Sequence, residues 1–207
     1  MTDESDYNHG TMKIIATIII ALALGACANT YNPTEDYESV QPTTMMSAPA
    51  ARRASESTDP AMRGRYLVEL LGCGTCHTDG ALVGEPRMDR WLAGSNIGIA
   101  YSNPLEVDNP GVVFPRNLTP DNDTGLGRWT DDEIADMIRT GVGRHGGVAV
   151  PVMPWPAFAR LGDQDVAAIV AYLRSVPPVS HRVPERVAPG TKTNALYVHF
   201  GVYRSKR

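Results

Sequence analysis

Apolar side chains fall into one unbroken run near the start and three spaced sets further on. From Met62 through Tyr66, Leu67, Leu70 and Leu71 they recur every three or four residues, behind an Asp59-Pro60 pair suited to an N-cap and first helical position. Thr130 and Glu133 form a capping-box pattern, Ile134, Met137 and Ile138 supply one apolar face, and Gly141 stands where a helix C-cap is expected. Val166, Ile169, Val170 and Leu173 mark a third helix over Asp163 to Ser175, stopped by Pro177 and Pro178. Three helices separated by long loops, within 59–178, predict a small all-α domain.

The unbroken run, Ile14 to Ala26, has Thr17 as its only polar side chain. As a helix it would span about 20 Å, short of the roughly 30 Å of a bilayer core, so it reads as the apolar part of an export signal. Lys13 precedes it, whereas residues 1 to 11 carry Asp3, Glu4 and Asp6 and no Lys or Arg, which points to Met12 as the biological start. The run closes on Leu24-Gly25-Ala26-Cys27, which resembles a bacterial lipoprotein signal, with Cys27 as the lipidated first residue of the mature chain. The plainer alternative is a cysteine inside a short anchor; either reading puts the rest of the chain outside the cytoplasm. Segment 1–27 is thus a signal, and 28–58, rich in Pro, Ser and Thr without apolar period, a flexible tether with a reach of about 30 Å.

Charge narrows the partners. The 207 residues carry a formal net charge of −4 and three lysines, which excludes a nucleic-acid binder. The balance is uneven: 59–178 is acidic, while 179–207 holds six basic residues against Glu185 and reads as an irregular basic tail. Three cysteines are too few for a disulfide scaffold.

Their positions say more. Cys73-Gly-Thr-Cys76-His77 is the CxxCH pattern of c-type haem attachment. Two thiols on one turn add to the two porphyrin vinyl groups, and the adjacent imidazole becomes the proximal iron ligand, so the haem is not lost outside the cell. Zinc would require further ligands, and the remaining cysteine lies in the signal segment. A thioredoxin-like CxxC belongs in a βαβ setting, and a plain disulfide leaves His77 unexplained. The haem would fill the centre of the helical domain.

With CxxCH after the first helix and a methionine loop before the last, 59–178 resembles a class I c-type cytochrome. Leu92-Ala-Gly-Ser95, Asn117-Leu-Thr-Pro-Asp121, Thr124-Gly-Leu-Gly-Arg-Trp129-Thr-Asp and Met153-Pro-Trp155 are similar to mono-haem cytochromes and cytochrome subunits of bacterial periplasmic dehydrogenases. The resemblance implies Met153 as distal iron ligand and a crossing of first and last helices around Gly64, Tyr66 and Tyr172. The prolines around Met153 stiffen its loop; His145, among glycines, is the alternative ligand. Met137 reads as core filler, Met88 as surface, and His181 as solvated. Trp129 and Trp155 read equally as porphyrin neighbours or core; Arg116, Asn117 and Arg128 read as propionate partners, with Arg116 and Arg128 equally readable as solvated loop charges.

The functional expectation is a lipid-anchored, periplasmic, mono-haem electron carrier, not an enzyme, passing single electrons from a dehydrogenase or respiratory complex to an oxidase or another cytochrome. A haem enzyme or sensor with a labile distal ligand, giving peroxidase activity or gas binding, is the alternative. A non-haem lipoprotein with a Cys73–Cys76 disulfide is a third.

Overall fold

The computed structural model describes residues 58–104, 107–144 and 152–200. The expected signal, Cys27 and tether, together with His145, lie outside the described residues. Helix α1 (Pro60–Leu70) starts where Asp59 Oδ1 accepts the amide of Ala61 at 2.9 Å, and it leads into a short helix, α2 (Cys73–His77). Two 3-10 turns follow, at Ala81–Val83 and Met88–Arg90. Helix α3 (Asp131–Thr140) has its capping box closed in both directions: Thr130 Oγ1 accepts the Glu133 amide and Glu133 Oε2 accepts the Thr130 amide. A four-residue helix, α4 (Trp155–Phe158), precedes α5 (Asp163–Ser175).

The core lies where α1 crosses α5. Leu67 and Val68 from α1, Ile134 from α3 and Val166, Ile169, Val170 and Leu173 from α5 bury together with Leu92, each worth about 1.5–3 kcal/mol of transfer free energy when fully covered. The crossing is close because residue 64 has no side chain: a Cβ there would stand 1.8 Å from the Ala168 carbonyl oxygen and 2.8 Å from Tyr172 Cβ. This is the contact the resemblance implies for Gly64 and Tyr172.

The helical reading holds for this half of the domain, and a small sheet adds to it. Strand β1 (Gly98–Ala100) pairs antiparallel with β2 (Val112–Val113) and parallel with β3 (Tyr197–His199), in the order β2-β1-β3. Val112, Phe114 and Val183 form a second apolar cluster beneath it, and Val187 exchanges both backbone hydrogen bonds with Val112. Two expectations need correction here. The domain is not purely α-helical, and 179–200 is not an irregular tail but a strap pinned to the loops by these bonds. Among the described residues no helix is long and apolar enough to cross a membrane.

Candidate functional site

Gly72, at φ 70°, turns the chain from α1 into α2, so Cys73 and Cys76 stand three residues apart on one helical face. Both are free thiols. Burial pushes the Cys73 thiol up to about 11, with a smaller push from Cys76, and burial raises Cys76 as well. Trp91 roofs this turn. A Cβ on Gly74 would lie 2.1 Å from its ring, and its indole Nε1–H donates to the Tyr172 hydroxyl at 3.1 Å. Tyr172 in turn abuts Gly64, so the helix crossing and the CxxCH turn are locked by one set of contacts.

His77 is oriented by its backbone surroundings. Its Nδ1–H donates to the carbonyl of Arg116 at 2.7 Å, which fixes the tautomer and leaves the Nε2 lone pair for another partner. Burial holds the imidazole below its ordinary pKa despite that hydrogen bond, keeping it neutral, as a metal ligand must be. The next residue is anchored too: Thr78 Oγ1 accepts the Leu92 amide at 3.1 Å, and the His77 carbonyl accepts the Gly94 amide at 2.9 Å. Leu92 is a fully buried non-glycine at φ 61°, a conformation over-determined by the bonds from its amide to Thr78 and from Leu118 to its carbonyl.

The Asn117–Asp121 motif ties the Arg116 carbonyl in place. Asn117, 1% exposed, donates from Nδ2 to Thr124 Oγ1 (2.9 Å) and to the Val179 carbonyl (2.8 Å), while its Oδ1 accepts from the amide and hydroxyl of Thr119. Those bonds use its amide fully, so Asn117 is a structural brace rather than a propionate partner. Arg116 and Arg128 pair with Glu185 and Asp123 at the surface. His181 is the clearest correction. It is 9% exposed instead of solvated, its Nδ1–H donating to the Ala93 carbonyl at 2.8 Å and its amide to Thr124 Oγ1 at 3.0 Å, because the strap returns it to the loops.

Met153 is half-buried at the head of a tight turn in which the Trp155 amide donates to the Met153 carbonyl at 2.8 Å. Met88 is on the surface, 63% exposed, and Met137 is half-buried on α3. Sequence reasoning missed Trp91 and Arg174. Arg174 donates from Nε to Asp131 (2.9 Å), from Nη1 to the Leu126 carbonyl (2.9 Å) and from Nη2 to the Trp129 carbonyl, stapling the glycine-rich loop to α5. No periodicity marks either residue; each acts through contacts that only the folded chain creates.

The donor set fits a covalent haem. Two free thiols and one neutral imidazole with a free Nε2 share a turn, and the apolar side chains of Leu71, Trp91, Leu118, Leu126, Trp129, Ile138 and Leu161 lie against the core without being fully covered. Among the described residues no three His, Cys, Asp or Glu side chains converge on an ion site.

Comparison with known proteins points the same way. A sequence profile of the cytochrome c family matches residues 61–177. The cytochrome c subunit of an alcohol dehydrogenase (quinone) from Gluconobacter oxydans (strain 621H) is 34% identical over 130 residues, 61% of this chain and 24% of that protein. The fructose dehydrogenase cytochrome subunit of Gluconobacter japonicus is 34% identical over 137 residues, 66% of this chain and 25% of the relative. A diheme cytochrome c-type protein of Cereibacter sphaeroides is 31% identical over 121 residues, 58% of this chain and 38% of its own length. The chain therefore matches only about a quarter of the two dehydrogenase subunits.

Proposed function

The chain belongs to the cytochrome c family, and from that membership we propose that it is a membrane-tethered, extracytoplasmic c-type cytochrome carrying single electrons from a dehydrogenase to an oxidase or a second cytochrome. The family implies a covalent haem c, and one CxxCH in the sequence supports a count of one. Cys73 and Cys76 would hold it by thioethers, and His77 Nε2 and Met153 would ligate the iron. When bound, the haem takes up and releases one electron, with a soft thioether favouring the reduced state.

The protein's part is to make that exchange cost little rearrangement. His77 is held by the Arg116 carbonyl and Arg116 by the Asn117 brace, so the imidazole is held in one orientation. Trp91 shields the attachment turn from above. The single observation that carries the reading is the His77 Nδ1–Arg116 hydrogen bond, which aims a neutral Nε2 from the same turn that bears two free thiols. The dehydrogenase donor is supported by relatives named as cytochrome subunits of alcohol and fructose dehydrogenases. Lipidation at Cys27 and the tether supply the membrane attachment.

Met153→Ala tests the carrier. In the haem-loaded wild type, carbon monoxide leaves most of the reduced protein unbound at neutral pH; in the variant it binds readily and the low-spin spectrum is lost. Carbon monoxide binding to most of the wild type would instead favour the labile-ligand enzyme or sensor. Affinity purification from native membranes checks the partner: a co-purifying dehydrogenase is expected.

A further inference from the structure

The segment after Met153 is unusually well anchored. Pro154, with φ −78° and ψ 42°, sits at the centre of a three-residue turn closed by the Trp155 amide and the Met153 carbonyl. The Trp155 ring then lies directly on residue 141. A Cβ there would stand 2.8 Å from Trp155 Cδ1, 2.9 Å from Cγ and 2.9 Å from Nε1. Gly141 is also the C-cap of α3, at φ 70°, its amide donating to the Met137 carbonyl at 3.0 Å, so two independent constraints favour glycine there. Beyond the ring, α4 buries Phe158. One ring-stiffened residue, Pro154, therefore separates Met153 from a fixed aromatic seat.

We infer that Trp155 is the positioning residue of the distal loop: its ring, seated on Gly141, holds Met153 in place and so sets how readily that thioether leaves the iron. The inference rests on Met153 being the distal ligand. The seat works through shape. Three atoms of the indole ring, Cδ1, Cγ and Nε1, meet residue 141 together, so it is the ring's shape that does the holding. An external ligand reaches the iron only in the fraction of molecules with Met153 displaced, and its apparent affinity scales with that fraction. Loosening the seat raises the fraction without touching either axial ligand.

The test uses haem-loaded full-length protein with imidazole as probe of the ferric iron, and the near-infrared charge-transfer band between thioether sulfur and ferric iron as a second readout. Gly141→Ala, which lifts the ring, and Trp155→Ala, which removes it, should each weaken the band and tighten imidazole binding by about tenfold or more, about 1.4 kcal/mol of loop closure. Trp155→Phe, which keeps a ring on the seat, should stay within about threefold of wild type by the same scale. Gly141→Ala carries the test alone if Trp155→Ala fails to accumulate. Met153→Ala separates the two levels. If it abolishes the band while Gly141→Ala and Trp155→Ala leave band and affinity unchanged, the seat is overturned and the ligand reading stands. If Met153→Ala leaves the band intact, both fall. Trp155→Phe behaving like Trp155→Ala also overturns the seat, because the N–H would then be the operative group.

Discussion

Asp121 shows how much one side chain can carry without being buried. Its Oδ1 accepts from the amide and hydroxyl of Thr124, each at 2.7 Å, and from the Asp123 amide at 3.2 Å. The Thr124 hydroxyl is the largest cause holding this carboxylate below its ordinary pKa, ahead of the Thr124 amide. A carboxylate whose folded pKa is depressed adds stability above its unfolded pKa and loses it as pH falls toward the folded value. Asp121→Ala should therefore lower the Tm near neutral pH, and the gap from wild type should close as pH drops through the carboxylate range near about 4. Thermal unfolding across that range checks this; a constant gap would show that packing, not charge, is at work. The motif was legible at this scale, but its role was not. Asn117 and His181 find their partners 62 and 88 residues away, a separation that no local pattern encodes.

Helices were legible because their caps are local. Asp59, Thr130 with Glu133, and Gly141 each satisfy end groups of their own helix, and those bonds appear where the spacing predicts them. Thr130→Ala removes the acceptor for the Glu133 amide and should cost about 1 kcal/mol, read as a lower denaturant midpoint at unchanged m-value. A change in m would mean that α3 unfolds separately from the rest. The strands escaped notice for the converse reason. They are two or three residues long, too short for alternation to register, and β1 pairs in parallel with a strand 99 residues on, Gly98 with Tyr197. Strands β1 and β2 pair with each other and with the strap after α5, so neither signals its structure alone.

At the scale of the molecule, arginine takes over the surface role of lysine, and it is largely paired. Among the described residues Arg63, Arg65, Arg87, Arg116 and Arg128 each meet a carboxylate within 3.2 Å, so much of the surface positive charge is neutralised locally. Such exposed pairs add little stability, but they shorten the reach of the field. Association with the redox partner should then depend weakly on ionic strength. A stopped-flow rate falling by about tenfold between low and moderate salt would show electrostatic steering instead.

The central claim is that a porphyrin is bound covalently through Cys73 and Cys76. The most direct measurement is the intact mass and pyridine haemochrome spectrum of the mature chain made in a host that ligates haem c. One added haem surviving acid extraction, and lost when both cysteines become alanine, is the predicted result. A colourless chain at the mass of the polypeptide alone would contradict it.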